Sequence, residues 1–244
     1  MKIATWNCNM AYRKKACFIL THKPDIVVVP ECECPEKLKF NEDTPIPTDI
    51  FWKGSNQHKG LGVFSYSDYR FKLLDNYNPE LKTILPLAVT GGAFGFTLFA
   101  IWAYNPLDKD YQYVGQVWKA LQHYDSILKN ERTILIGDFN SNTIWDKPRR
   151  EGNHSTVVER LEQKGIYSTY HKYYKQTQGK EEHSTWFMYR HQNKPYHLDY
   201  IFASADLIKK LKNVEIGSYE EWTKYSDHKP VIVTFDVPPS PKGS

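Results

Sequence analysis

The sequence contains no run of apolar residues long enough to cross a bilayer, which takes about 18 or more. The opening stretch MKIATWNCNM has neither a long apolar segment nor a small-residue cleavage site, so no secretory signal is expected. Cysteine is scarce, and Cys8, Cys17, Cys32 and Cys34 match no disulfide framework. Cys32 and Cys34 lack the second pair that a zinc site needs. Charge is not extreme either: the net value of +4 and pI near 8.7 tolerate a polyanionic partner without demanding one. No internal repeat and no break in composition marks a domain boundary. What remains is a chain of 244 residues, 15% of them aromatic. Its apolar content suffices for a sizeable core. Residues 1–237 are expected to form one domain. The closing PPSPKGS, residues 238–244, cannot contribute to a core and is expected to be a loose tail.

Along the chain, residues 2–7 read as a strand and 11–22 as a helix that Pro24 ends. The unbroken apolar run Ile26 to Val29 suits a strand buried on both faces. Further strands are predicted near 49–53, 61–66, 84–90, 95–103, 133–136, 185–189, 196–202 and 230–236. Helices are predicted over 111–129 and 154–164, the latter stopping at Gly165. Many strands and few helices imply two sheets packed face to face with helices outside.

Five segments share one arrangement, an apolar strand meeting acidic or amide residues. Asn7 and Asn9 follow the first strand, Glu31 follows Ile26 to Val29, and Asp138 and Asn140 follow Thr133 to Ile136. Asp199 stands in HLDYIF, and Asp227 with His228 precedes Pro230. Taken singly, such residues usually cap turns. Together they form the set that metal-assisted hydrolysis uses, held at one place by buried strands. A hard carboxylate such as Glu31 suits Mg²⁺, with Mn²⁺ as a substitute. Asp138 and Asn140, two apart on extended chain, point the same way, one to take a proton from water and the other to orient it. His228 offers an imidazolium for a charged phosphate, and Asp199 a carboxylate to hold it.

On these residues the sequence resembles the endonuclease/exonuclease/phosphatase superfamily, nearest in its motifs to the exonuclease III-like branch. The matching blocks are TWNCN (5–9), PDIVVVPE (24–31), WAYNP (102–106), GDFNSN (137–142), STW (184–186), HLDYIFAS (197–204) and SDHKPV (226–231), in the family's order. The resemblance implies an α/β fold, a four-layered sandwich of two mixed β-sheets flanked by helices. It implies Glu31 as the principal Mg²⁺ ligand with Asn7 and Asp227 close to the metal. Asp138 would align or activate the water, Asn140 would hold the phosphate, and His228 paired with Asp199 would stabilise the transition state. Tyr104 has the spacing to Pro106 of the exonuclease III-like active-site tyrosine. The chain departs from the family at three places: Glu31 follows Pro30, Asn9 stands where some members carry Asp, and His197 stands where Arg is usual.

The same site serves nucleic acids, lipid head groups and soluble phosphates in different members, so it does not name the substrate. Lys147, Arg149 and Arg150 in KPRR, and the stretch 167–180, mix basic with aromatic side chains and favour nucleic acid. Asn9 and Trp186 complete the expected substrate contacts. Residues 88–99 alternate as two strands and a turn rather than as a membrane hairpin. The expected protein is a cytoplasmic nuclease with no obligatory protein partner. Its rivals are a phosphatase of inositol or other small phosphates and a binding module that has lost catalysis.

Overall fold

The computed structural model describes residues 1–92, 94–104, 107–130 and 132–237. The 238–244 tail lies outside the described residues, as do Asn105 and Pro106 of the WAYNP block. In chain order the elements are β1 (Lys2–Thr5), α1 (Ala16–Leu20), β2 (Ile26–Cys32), β3 (Asp49–Asn56), β4 (Lys59–Ser65) and β5 (Arg70–Leu73). There follow β6 (Ile84–Thr90), β7 (Phe96–Trp102), α2 (Val114–His123), α3 (Asp125–Asn130), β8 (Thr133–Asp138) and α4 (His154–Gln163). The last third holds β9 (Ile166–Ser168), α5 (Thr169–Tyr174), β10 (Trp186–Phe187), β11 (Pro195–Tyr196) and β12 (Asp199–Ser204). It closes with α6 (Ala205–Ile208), β13 (Leu211–Ile216), α7 (Tyr219–Trp222) and β14 (Val231–Phe235).

Twelve strands form two six-stranded sheets, ordered β13-β14-β1-β2-β4-β3 and β5-β6-β7-β8-β12-β9. Both are mixed: β1 runs parallel to β2 and β7 parallel to β8, with the other pairs antiparallel. Alternation along the strands assigns each side chain to a layer. Ile3, Ile26, Val28, Leu61 and Val63 of the first sheet meet Leu85, Leu98, Ile134, Ile136 and Ile201 of the second in the central core. The opposite face of the second sheet, with Phe99, Ile101, Leu135 and Phe202, is covered by Val117, Leu121 and Tyr124 from the α2 region and by Val157 and Leu161 of α4. On the far side of the first sheet, Ala4, Val27 and Ile232 pack under Ala16, Ile19 and Leu20 of α1 and Trp222 of α7. Four layers result, as the resemblance implied. Each of the larger buried side chains contributes about 1.5–3 kcal/mol through burial.

Two expected helices are shorter than the sequence pattern suggested. The 11–22 helix contracts to α1 behind one 3₁₀ turn at Tyr12–Lys14. Asn9, Met10 and Ala11 hold left-handed backbone, and the N–H groups of Tyr12 and Arg13 donate to the buried Glu33 carboxylate instead of building a helix. The 111–129 helix starts at Val114, because Tyr113 has φ of 53°, and it divides at Tyr124. The Tyr124 hydroxyl leaves the helix to accept from the Asn78 N–H at 2.9 Å.

Candidate active site

The topology fixes where the polar residues gather. The carboxyl ends of β1, β2, β7 and β8, and the amino ends of the antiparallel β12 and β14, all lie along one edge of the sandwich. Asn7 follows β1, Glu31 lies near the end of β2, Tyr104 follows β7, and Asp138 ends β8. Asp199 begins β12 directly opposite Asp138 in register, and Asp227 with His228 leads into β14.

At the centre is a carboxylate–imidazole–carboxylate row. His228 Nδ1 donates to Asp199 Oδ2 at 2.8 Å, and its Nε2 lies 3.9 Å from Asp138 Oδ2. All three are buried. Burial opposes the imidazolium charge, but Asp199 and then Asp138 outweigh it and hold His228 up at about 10. Burial raises Asp138, and Asp199 adds to the rise while His228 opposes it. Asp199 keeps its place through its backbone N–H, which donates to Thr185 Oγ1 at 3.0 Å, and its Oδ1 is buried without a partner. The backbone carbonyl of His228 accepts from Trp6 Nε1, and its N–H donates to Ser226 Oγ.

Amides surround Asp138. Asn7 Nδ2 donates to Oδ2 at 3.0 Å, Asn140 Nδ2 to the same oxygen at 3.1 Å, and the Asn140 N–H to Oδ1 at 2.8 Å. Asn7 Nδ2 also lies 3.4 Å from Glu31 Oε1. Glu31 occupies a bulge in β2, where the register with β4 shifts between Pro30 and Cys32. Glu31 at φ 61°, Asn140 at 48° and Asn9 at 51° all hold left-handed backbone. Such a conformation costs a non-glycine residue roughly 1–3 kcal/mol. Side chains of the site are therefore aimed by strained main chain that packing maintains. Gly137 has φ of 143°, and a Cβ there would stand 1.8 Å from the Ile101 carbonyl oxygen. The GDFN block therefore requires glycine where β8 passes β7.

On the other flank, Asp227 accepts from Asn9 Nδ2 at 3.1 Å and from Trp186 Nε1 at 2.9 Å. The Asn9 N–H donates to Asn7 Oδ1, linking Asn7, Asn9 and Asp227. Tyr104 is half-exposed and stacks on the buried Trp102, ring centroids 5.0 Å apart and 7° from coplanar. His197, in the position where the family usually has Arg, turns away from Asp199 to the His183 carbonyl, which its Nδ1 meets at 2.6 Å. Lys147, Arg149 and Arg150 are not brought to the Asp138–His228 row. They line surface hollows with Asp110, Tyr111 and Glu151, and Arg150 donates to the Asp110 carbonyl. Much of the 167–180 stretch, which its basic and aromatic residues suggested as a substrate contact, is built into β9 and α5. Tyr170, for example, is buried there, its hydroxyl bonded to Gln176 and His183.

The donor types suit a hard divalent cation. Glu31 and Asp227 carry carboxylate oxygens, and Asn7 lies between them, its Nδ2 3.4 Å from Glu31 Oε1 and its Oδ1 accepting from Asn9, which in turn donates to Asp227. Ligand atoms of Asp138, Asp199 and His228 also lie within 4.8 Å of one another, a second group of donors in which His228 Nδ1 is hydrogen-bonded to Asp199. Three contributors escaped the sequence reading. Thr185 sits inside the STW block, and Ser226 inside SDHKPV, where its Oγ donates to the Asn7 carbonyl at 2.7 Å. Lys59, 3.0 Å from Glu31 Oε2, stands before the strand expected at 61–66 and had no signal.

Known proteins echo this architecture. The model of the Endonuclease/Exonuclease/phosphatase family matches residues 4–228. The fold is similar to that of a 3′-5′ exonuclease (NExo) from Neisseria meningitidis, with TM-score 0.67 and 22% identity, covering 97% of this chain and 100% of that one. It is also similar to an AP endonuclease from Archaeoglobus fulgidus, with TM-score 0.67, 18% identity and coverage of 97% and 100%. A third structure, the 3′ phosphatase NExo from Neisseria bound to product DNA hairpin, gives TM-score 0.63 at 21% identity, covering 97% and 99%. No curated protein matches the sequence.

Proposed function

Since the chain belongs to the Endonuclease/Exonuclease/phosphatase family, we propose that it is a metal-dependent phosphodiesterase, a nuclease that hydrolyses DNA or RNA by in-line attack of water. The observation that carries this reading is the buried row in which His228 Nδ1 meets Asp199 at 2.8 Å and its Nε2 lies 3.9 Å from Asp138. That row supplies a fixed positive charge beside a carboxylate whose proton affinity burial has raised, the pairing that hydrolysis of a phosphate ester uses. The DNA hairpin in the Neisseria phosphatase supports nucleic acid as the partner class.

In this reading Asp138 aligns the attacking water and accepts its proton, with Asn7 and Asn140 fixing the carboxylate by three hydrogen bonds. Asn140 and Tyr104 steady the phosphate. His228 neutralises the negative charge that builds on the pentavalent phosphorus centre, and Asp199 keeps the imidazole oriented and charged. Glu31, Asn7 and Asp227 would hold Mg²⁺, or Mn²⁺ in its place. Bound there, the ion supplies Lewis-acid neutralisation of phosphate oxygens. Asn9 and Trp186 brace Asp227 and face the substrate side, while Lys147, Arg149 and Arg150 offer a basic rim farther out. Residues 1–237 act as one domain with no obligatory protein partner. The free thiols of Cys8, Cys17, Cys32 and Cys34 suit the reducing cytoplasm. No helix among the described residues is long and apolar enough to cross a membrane.

The test is a Mg²⁺-dependent cleavage panel of duplex DNA, single-stranded DNA, abasic-site duplex, RNA and an inositol polyphosphate, with Glu31→Gln alongside. Nucleic-acid cutting that disappears in the variant is the expected result. Phosphate release from the inositol compound alone would replace the nuclease with a phosphatase. A biochemical effect that survives Glu31→Gln would replace it with a binding module.

A further inference from the structure

Beside Glu31 lies a cavity of about 580 Å³. Its size suits a small ligand or a part of a larger one. One wall is the β3–β4 hairpin of the first sheet, through Lys53 and Lys59. The facing wall is the segment before β6 in the second sheet, through Leu81 and Lys82, and Trp102 with Tyr104 forms the end nearest the catalytic row. Three features define what it takes. The charged residues lining it, among the described residues, are Lys53, Lys59 and Lys82, with no carboxylate. Lys59 Nζ stands 3.0 Å from Glu31 Oε2 and 5.3 Å from the Trp102 ring centroid, so one lysine of the lining borders the expected metal ligand Glu31. Tyr104, backed by Trp102, presents an exposed aromatic face between the cations and the apolar wall of Leu81 and Ile84.

From this juxtaposition, and on the nuclease reading above, we infer that the cavity is a subsite for an unpaired strand flanking the scissile phosphate. Lysines meet its phosphates and the Tyr104 face stacks one of its bases. Both halves of a nucleotide are provided for: Lys53 and Lys82 on a lining that holds no carboxylate for the phosphate, Lys59 being paired with Glu31, and a flat apolar surface for the base. A base pair inside a duplex has both faces covered by its neighbours, so the aromatic platform serves a base that has left the stack. A soluble sugar polyphosphate would need no such platform. Lys59 serves as the hinge between subsite and catalytic centre, since its amino group reaches both the Glu31 carboxylate and the cavity. The enzyme would accordingly prefer frayed, gapped or tailed ends to blunt duplex.

The experiment measures binding of the cleavage-deficient Asp138→Asn protein to blunt duplex and to duplexes with a 3′ or 5′ single-stranded tail. Each is compared with the same protein carrying Lys53→Ala and Lys82→Ala, neither residue belonging to the catalytic row. Affinity for a tailed duplex should fall about tenfold or more. The slope of log K against log salt should shrink by about 1.4, roughly 0.7 for each lost contact to a single strand. Blunt duplex should bind within about twofold of the parent. Equal losses on tailed and blunt duplexes, or no loss on either tail, would overturn the inference. So would loss of inositol polyphosphate binding with nucleic-acid binding intact. Failure of the nuclease reading has a separate signature, a wild-type protein that neither binds nor cuts any nucleic acid.

Discussion

His228 donates to Asp199 at 2.8 Å across the seam between the two sheets, one residue leading into β14 of the first and the other opening β12 of the second. The charge state of the imidazole is thus a property of how the sheets are docked. His228→Ala removes the cation and Asp138→Asn removes the proton acceptor. Each should lower kcat by about 10³-fold or more. Circular dichroism should show both variants folded, and near wild-type turnover in either would contradict these roles.

Metal binding should depend on Glu31 apart from turnover. Glu31→Gln should weaken Mn²⁺ binding by about 10–100-fold, at least the loss expected when a supporting residue of a metal site is removed. Titration calorimetry reads this without any substrate, and an unchanged affinity would remove Glu31 from the ligand set. EDTA should abolish activity and added Mg²⁺ restore it.

Gly137→Ala should destabilise the fold by several kcal/mol, because its Cβ would press on the Ile101 carbonyl at a backbone angle suited to glycine. Thermal denaturation checks this, and a melting temperature within a few degrees of wild type would mean that β7 and β8 can part at no cost.

Acid should unfold the protein by a route behind the active site. His154 and His197 are buried, and desolvation lowers both to about 4 from the ordinary 6.5. Between those values the unfolded chain binds more protons than the folded one, so stability present at neutral pH is lost as pH falls from about 6.5 towards 4. Glu181 differs: burial alone would raise it, but hydrogen bonds from His171, the Gly179 N–H and Asn142 outweigh that and lower it to about 2. Its contribution is present above the ordinary 4.5 and is lost as pH falls towards 2. Melting temperature should therefore decline from pH 6.5 downward, and His154→Asn should flatten the upper part of that decline. Asp138, raised by burial to about 7, works the other way in the same window, so the test is the comparison: a His154→Asn profile identical to the wild type would contradict the buried neutral histidine.

The buried strands and the gathering of polar residues at their ends were legible because both depend on local sequence. An unbroken apolar run such as Ile26 to Val29 admits little but a central strand, and polar residues at its end mark the edge of the sheet. Elements set by tertiary partners were not legible. Edge strand β13, LKNVEI, has one buried side chain, Val214, and carries no pattern to read. The stretch around Tyr170 reads as a polar loop until its hydroxyl and ring find partners in the core. Lys147, Arg149 and Arg150 show the limit of charge as a guide, since composition gives the sign of a patch and not its distance from the chemistry. Lys59 shows the reverse, a residue without motif that the hairpin carries to Glu31.

The strand order of the first sheet has a consequence in time. β14, last of the strands in sequence, lies between β1 and β13, and the loop just before it carries Asp227 and His228. A ribosome that has not yet released residues 226–235 holds a polypeptide with β1 unpaired on one side and with no imidazolium. Synthesis from the amino end therefore completes the hydrolytic centre only after every other strand of both sheets has been made. A chain that cuts nucleic acid would remain inert while those strands emerge beside the message and ribosomal RNA that are making it.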